Sequence, residues 1–518
     1  MNFNNMIYAE GAGRNTSKHC LPGTREHILS EIKTWIDSTG EDVRQVFWLN
    51  GTAGKGKSAI AHTIADWFIR RGGPGAFFSF DRTREADRWH EKIFTTIARD
   101  LVDGDPIIRR AVANVVRDQN ELRHTTDVMR QWRELILGPV QAAAKVVIAP
   151  VLIVINALDE CGGARFREQI LRVLVGKQST ASPNLRVLIT SRSLGDIHEY
   201  LDVASHVRSI SMDDAVHVSV ESDIQHYVST QLKAVEGFTD EDFKRLAVES
   251  DGLFEWARLA CDYISDTDLG QNPRKRFEAV LAGRSEKGTH LLDQMYRRIL
   301  ERIICEDERR QEAILIFCSV MGQVIASLEP LPCTALAAMR QHFPLASDHY
   351  QVEDVIRRLG SLVTGTTDSQ IPVRPLHASF YEFLTDKSRS NTFFVDVSLA
   401  RKNLAFASLE VLKQQLHFNI CSLENSYLPN SDIPNLGDRV KKCISAELSY
   451  SSRFWGAHVG TLSVEPPLVE EVRMFFDDER LLFWLEVVSL LKFVGGSVAT
   501  LSGIADWLTV GRSHIHNH

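Results

Sequence analysis

The sequence predicts an α/β domain, with a parallel sheet and helices on both faces, followed by a long helical region. Five short apolar runs between residues 46 and 210 lack polar alternation, which is typical of strands covered on both faces. Longer amphipathic segments separate these runs, as in βαβ units. Beyond about residue 215, apolar residues recur at helical spacing, and this indicates that most of the remaining chain is helical.

The five predicted strands are Val46–Leu49, Ala76–Phe80, Val151–Ile155, Leu185–Ile189 and Val207–Ile210. An amphipathic helix is predicted before the first of them, with Ile28, Ile32 and Trp35 on its apolar face. Because residues 1–20 are polar and rich in Gly and Asn, we expect a disordered lead-in there.

Composition excludes several classes of partner. A net charge of -8 and a pI near 6.2 give no general attraction to phosphate backbones or anionic lipid, so we expect no nucleic-acid partner. The apolar stretches at 146–158 and 481–494 are shorter than the roughly 20 residues that cross a bilayer, so no membrane span is expected. The N-terminus shows no secretory signal and the eight cysteines form no C-x-x-C pair. We therefore expect a cytoplasmic protein with reduced thiols.

The strongest motif is Gly51-Thr-Ala-Gly-Lys-Gly-Lys-Ser58, which fits the phosphate-loop pattern G-x-x-x-x-G-K-[ST] and lies between a predicted strand and helix. In such a loop, backbone N–H groups and the helix N-terminus bind phosphate. We expect Lys57 to reach the outer phosphates and the Ser58 hydroxyl to ligate Mg²⁺. Lys55 occupies a variable position and also fits a solvated loop charge. The predicted cofactor-binding residues are Gly51, Thr52, Ala53, Gly54, Lys55, Gly56, Lys57, Ser58 and Ala59.

An acidic pair follows the third strand. Glu160 is the candidate for polarising the attacking water, and Asp159 is the candidate for the metal. Asn156 ends the strand at a position where an aspartate would bring a negative charge, so we expect weaker metal binding and hydrolysis. The alternative is that the two carboxylates only cap a helix.

The fourth strand runs into Thr190-Ser191-Arg192. Polar residues after buried parallel strands collect at the ligand-binding edge of the sheet, so Arg192 is a candidate for sensing the terminal phosphate. An ordinary surface arginine is the alternative.

In this order, the motifs resemble those of the NACHT nucleotide-binding proteins of the STAND class, in particular the fungal NOD-like branch with its nephrocystin-like and NACHT–WD40 members. The segments that carry the resemblance are 21–25, 47–61, 151–161, 185–192, 251–257 and 376–384. The chain has no repeat period of 20 to 50 residues, so the resemblance is to the core without the repeats.

The resemblance implies an order of domains. Residues 21–212 are expected to form a NACHT P-loop NTPase domain, residues 213–290 a helical domain and residues 291–395 a winged-helix-like domain. A C-terminal helical region is expected over residues 396–518.

The same resemblance implies a signalling switch of the innate-immunity type that binds ATP or GTP with Mg²⁺, with ATP as the expected nucleotide. Exchange of ADP or GDP for the triphosphate would open a closed monomer, permit homo-oligomerisation and engage an unidentified protein effector or ligand. His377 matches a winged-helix histidine that contacts the inner phosphate of the bound diphosphate. Asp159, Glu160 and Arg192 match the family's catalytic positions.

Two other functions remain open. Asn156 favours a nucleotide-binding scaffold that has lost turnover, whereas an active protein would be a slow NTPase. A P-loop kinase fits the loop but not the adjacent Asp159-Glu160 pair or the long helical continuation.

Overall fold

The structure is a computed structural model that describes residues 6–40, 43–84, 90–144, 149–176, 184–214, 217–266, 272–282, 289–304, 310–345, 347, 349–425, 427–477 and 479–515. The chain forms two compact units, residues 1–295 and 296–518. The division falls within the predicted winged-helix-like segment 291–395. The finer domain boundaries stay predictions.

The first unit is built on a five-stranded parallel sheet of order β2-β3-β4-β1-β5. Its strands are β1 Val46–Asn50, β2 Gly75–Ser79, β3 Val151–Asn156, β4 Leu185–Ser191 and β5 Val207–Ser211. Every residue of β1, β3 and β4 is buried. The predicted strands and the predicted α/β P-loop fold are therefore confirmed.

Helices cover both faces of the sheet. Phe47 and Leu49 of β1 pack in one core with the first two helices, while Val46 and Trp48 pack in the core on the opposite face. This follows from the pleat, which turns successive side chains to opposite faces. The helices of this unit are α1 Glu26–Asp37, α2 Lys57–Arg70, α3 Ile93–Gly104, α4 Pro106–Asp118, α5 Val128–Gln131, α6 Gly138–Ala144, α7 Ala164–Val175, α8 Gly195–Leu201, α9 His217–Gln231, α10 Asp240–Glu249, α11 Phe254–Ser265 and α12 Pro273–Leu281; α13 Thr289–Ile303 contains the division between the units.

The predicted disordered lead-in differs from the structure over residues 6–20. Met6, Ala9 and Ala12 are buried in the core beside β2. The Ala12 carbonyl accepts a hydrogen bond from the Ser79 N–H of β2 at 2.8 Å. Although the segment is polar overall, its few small apolar side chains are enough to pack it against the edge strand.

The second unit is helical and packs around aromatic side chains. Its helices are α14 Arg310–Ala326, α15 Cys333–Arg340, α16 Val352–Ile356, α17 Ala378–Thr385, α18 Lys387–Ser390, α19 Val397–Gln415, α20 Leu436–Cys443, α21 Ala446–Gly460, α22 Pro466–Phe476, α23 Arg480–Leu490 and α24 Val494–Ile515. In its core Trp455, Phe475 and Trp484 make edge-to-face contacts with ring centroids within 6.2 Å. No helix in the described ranges is both long and apolar enough to span a bilayer.

Candidate phosphate-binding site

The ends of four neighbouring strands, β2, β3, β4 and β1, lie together at the carboxyl edge of the sheet. β1 lies between β4 and β5, so the loop that follows β1 emerges beside the end of β4. Asn50 pairs in register with Ser191, and Ser79 pairs with Asn156. Ligands of open α/β sheets bind at this edge, where the predicted site residues are gathered.

The loop after β1 contains two glycines in the left-handed backbone conformation. Gly54 and Gly56 have φ angles of 85° and 90°, which side-chain-bearing residues rarely adopt. α2 begins at Lys57, and its N-cap Gly56 offers no side-chain cap. Within the part of the chain that the structure describes, the N–H groups of residues 53–59 have no hydrogen-bond acceptor. These unpaired donors and the positive end of the helix form an anion-binding concavity.

The Lys57 ammonium group lies beside this loop and contacts two of its carbonyl groups. Its Nζ donates to the carbonyl oxygens of Gly51 at 2.5 Å and Thr52 at 2.9 Å. Burial lowers the pKa of Lys57 to about 8, and the negative charge of Asp159 opposes that shift. A phosphate group would offer the ammonium a charged partner in place of neutral carbonyls.

The oxygen ligands for a magnesium ion are few. The Ser58 hydroxyl, in the first turn of α2, has no hydrogen-bond partner among the described residues. The described ranges contain no group of three or more His, Cys, Asp or Glu side chains that could hold a metal. The Ser58 hydroxyl beside the phosphate-binding loop fits a metal that takes its other ligands from phosphate and water, as Mg²⁺ does.

Asn156 is held between two strands. Its side-chain N–H donates to Ser79 Oγ at 3.0 Å, and its Oδ1 accepts from Thr190 Oγ1 at 2.8 Å. Thr190 Oγ1 also accepts from the Ala157 N–H at 3.0 Å. Ala157 has φ 57°, so this contact holds a left-handed residue that reverses the chain direction before the acidic pair.

Asp159 is bound to Arg192. One carboxylate oxygen accepts from the Arg192 backbone N–H at 3.1 Å, and the other lies 3.1 Å from Arg192 Nε. The Asp159 side chain is 5% exposed, so this is a largely buried ion pair. The metal-binding role expected for Asp159 stays a prediction, since both of its oxygens contact Arg192.

Glu160 lies beside the same pair. Its Oε2 accepts from the Arg82 N–H at 3.2 Å. Burial and the neighbouring charges of Asp159 and Asp81 raise its pKa to about 7. A carboxyl group with such a pKa can accept a proton near neutral pH, as a general base requires.

The outer side of the loop is tied to other parts of the first unit. The Gly54 carbonyl accepts from the Glu255 N–H at 3.2 Å, and the Lys55 carbonyl accepts from Arg25 Nη2 at 2.9 Å. Lys55 Nζ donates to the Asp251 carbonyl at 3.2 Å. Lys55 is therefore a structural contact of the loop with the start of α11, and not the solvated charge that its variable position allows.

A small depression opens next to Lys55. Three apolar side chains, Met212, Val220 and Val248, contribute to its wall. The other lining residues are Lys55, Asp213, Glu221, Asp251 and Gly252. Because the lining includes Lys55, the depression lies directly beside the loop.

Two comparisons relate the chain to known proteins. Residues 23–192 match the family described as Nephrocystin 3, N-terminal, and this range contains the loop, the acidic pair and Arg192. The chain is also 23% identical over 503 residues, 90% of its length, to the vegetative incompatibility protein HET-E-1 of Podospora anserina. The resemblance to the fungal NACHT proteins is confirmed. The chain spans about a third, 34%, of the length of HET-E-1.

The structure thus brings together most of the predicted NACHT site residues. Lys57 interacts electrostatically with Asp159, Glu160 and Arg192, so the loop and both later motifs share one site. His377 lies in the second unit, where it caps α17 and its Nδ1 lies 2.6 Å from Ser379 Oγ. Its role toward a bound diphosphate stays a prediction.

Sequence reasoning missed several contributors to this site. The sequence indicates no role for Thr190 beyond its place in the polar segment that ends the fourth strand. Arg25 lies in the segment 21–25, which carries part of the resemblance, but nothing in that segment indicated a contact with the loop. Asp213 accepts from the Thr52 N–H at 2.9 Å, and Glu255 acts through its backbone. Contacts that use backbone atoms or distant segments leave no local pattern in a sequence.

Proposed function

We propose that this chain is a nucleotide-dependent switch that binds a nucleoside triphosphate with Mg²⁺ at residues 51–59. The observation that carries the proposal is the row of N–H groups without acceptors in the described loop, at the N-terminus of α2, with Lys57 beside them. In this assignment the loop amides and Lys57 bind the phosphates, and Ser58 contacts the metal. ATP is the expected nucleotide, with GTP as the alternative.

Hydrolysis, where it occurs, would be slow. Glu160 would orient and deprotonate the attacking water, and Arg192, positioned by Asp159, would stabilise charge on the terminal phosphate. The bound Mg²⁺ would neutralise charge on the phosphate oxygens. Asn156 brings no charge and both ends of its amide are hydrogen-bonded to neighbouring strands, which supports weak metal retention and low turnover.

Asn156 also supports a second candidate function. If Asn156 abolishes turnover, the chain is a nucleotide-binding scaffold. Phosphate release by the natural protein and by Glu160→Gln separates the two functions. A slow NTPase loses activity on this substitution, whereas a scaffold shows no difference.

The switch requires that the triphosphate and diphosphate favour different arrangements of the chain. To move a closed-to-open ratio from 99:1 to 1:99, the triphosphate must favour the open state by about 5.5 kcal/mol. The contacts of Gly54 and Lys55 with residues 251–255 give the loop a direct connection to α11, through which a change at the phosphates would reach the helical part of the first unit.

Binding is tested by titrating ATP and GTP, each with Mg²⁺, into the natural protein and into Lys57→Ala by calorimetry. We expect Lys57→Ala to lose at least tenfold in affinity, since a charge-assisted contact contributes about 1.5 to 3 kcal/mol. Lys275→Ala removes an exposed lysine of α12 and serves as the control. Undiminished binding of both nucleotides by Lys57→Ala would overturn the proposal.

Oligomerisation is tested separately by light scattering. A non-hydrolysable triphosphate analogue should raise the mass of the natural protein above that of the monomer, and a diphosphate should not. Lys57→Ala should stay monomeric with either nucleotide. A mass that is the same with both nucleotides would contradict the switch and leave nucleotide binding intact.

A further inference from the structure

Two cysteines of the second unit lie side by side. Cys421 is buried in the segment after α19, in a turn where the Ser422 N–H donates to the Asn419 carbonyl at 2.8 Å. Cys443 is the last residue of α20, 22 positions later, and is exposed. The thiols of Cys421 and Cys443 are near enough to interact electrostatically, and neither is in a disulfide.

Arg439 shows independently that α20 faces the segment containing Cys421. Its Nη2 donates to Glu424 at 2.9 Å, and its Nη1 lies 3.5 Å from the Ser422 carbonyl. Residues four apart lie on the same face of a helix, so Cys443 points to the same side as Arg439. The Arg439 guanidinium also interacts with both thiols.

α20 has little else to hold it in place. None of the residues from Leu436 to Cys443 is buried, and its apolar side chains Leu436 and Val440 are only half-buried, so the helix is held less firmly than one packed into a core. A covalent bond at its last residue would therefore change its mobility more than it would for a buried helix.

We propose that Cys421 and Cys443 form a reversible disulfide that fastens α20 to the segment after α19, with a low-molecular-weight disulfide such as oxidised glutathione as the oxidant. The Cys443 thiolate attacks one sulfur of the oxidant, forms a mixed disulfide and releases one glutathione thiolate. The Cys421 thiol then gives its proton to water, and its sulfur attacks that of Cys443 and releases the second glutathione. In sum, two protein thiols are oxidised and one oxidised glutathione is reduced to two thiols.

The order of attack follows from exposure. The Cys443 thiol is accessible to an oxidant in solution, whereas Cys421 is 3% exposed. Burial raises the pKa of the Cys421 thiol to about 11, so this group does not begin the reaction at neutral pH. It resolves the mixed disulfide because the Cys443 sulfur lies next to it.

The test uses the full chain with an excess of oxidised glutathione, followed by alkylation of the remaining thiols and peptide mapping by mass spectrometry. We expect a cross-linked peptide pair containing Cys421 and Cys443, about 2 Da lighter than the sum of the reduced peptides. Amide exchange in residues 436–443 should slow several-fold on oxidation and return to its original rate with a reductant.

Single substitutions separate the two roles. Cys421→Ser leaves no resolving thiol, so it should accumulate a mixed disulfide at Cys443, about 305 Da heavier. Cys443→Ser should leave Cys421 unmodified, and Cys318→Ser, which removes a partly exposed free thiol of α14, should behave like the natural protein. The proposal is overturned if the natural protein stops at the mixed disulfide or if both thiols remain reduced.

Discussion

At the scale of single residues, hydrogen bonds and an ion pair from neighbouring side chains keep the groups of the site in position. Thr190 bonds both Asn156 and the Ala157 N–H, and Asp159 bonds Arg192 through both oxygens. The groups proposed to face phosphate or water, Glu160 and Arg192, are thus oriented by residues that need not contact the nucleotide.

Replacing Thr190 by valine keeps the shape of the side chain but removes its hydroxyl. Thr190 is 1% exposed, so the Asn156 Oδ1 and the Ala157 N–H would each lose a buried partner. We expect the free energy of unfolding to fall by about 2 kcal/mol, measured by urea denaturation. Thr190→Ser keeps the hydroxyl and should lose less than half as much. Equal losses in the two variants would show that the hydroxyl is not what matters.

The titration of Glu160 predicts how hydrolysis depends on pH. Burial and the nearby charges of Asp159 and Asp81 raise its pKa to about 7, and only the ionised carboxylate can take a proton from water. Any phosphate release should therefore increase from pH 6 to pH 8, with its midpoint near 7. Glu160→Gln should give a low rate without this midpoint. A natural rate that does not change over this range would exclude Glu160 as the base.

At the scale of elements, the loop is held between the helix that it starts and a helix that begins far along the chain. α2 supplies the positive helix end, and the N–H of Glu255, in the first turn of α11, bonds the Gly54 carbonyl. A hydrogen bond from the backbone is insensitive to the side chain, so its importance cannot be tested by an alanine substitution alone.

Proline at position 255 removes this one donor. The first turn of a helix tolerates proline because its N–H groups have no partner within the helix. We expect Glu255→Pro to keep the helical circular dichroism and to lower nucleotide affinity about three- to tenfold, the range for one hydrogen bond. Glu255→Ala also loses the ion pair with Arg258 but keeps the N–H, so it controls for the side chain. Similar affinities in the two variants would contradict a role for the backbone contact.

At the scale of the whole molecule, the two compact units have different architectures. The loop, the acidic pair, Arg192 and the depression beside Lys55 all belong to residues 1–295. A nucleotide bound there stabilises the folded state in proportion to the logarithm of its concentration relative to Kd.

Saturating nucleotide should therefore protect the sheet against exchange. At 100 times Kd, binding adds about 2.7 kcal/mol to the free energy of opening. We expect this protection in peptides from β1, β3 and β4, measured by hydrogen exchange with mass spectrometry, and at the same nucleotide concentration we expect Lys57→Ala to gain no more than about 1.4 kcal/mol, because its affinity is at least tenfold lower. Protection in Lys57→Ala as large as in the natural protein would mean that the nucleotide binds elsewhere.

The sequence by itself determined the elements and the first site residues, because their signals are local. The apolar runs set the five strands, and the spacing of Gly51, Gly56 and Lys57 identified the loop. Asp159, Glu160 and Arg192 are identified because parallel strands bring their carboxyl ends to one edge.

Only the tertiary structure decided the partners of these residues, since the partners come from distant parts of the chain. It paired Asp159 with Arg192, placed Thr190 between Asn156 and Ala157, and packed the segment around Ala12 against β2, where sequence composition predicts disorder. Hydrogen bonds and burial depend on distances across the fold, and local sequence patterns carry no record of them.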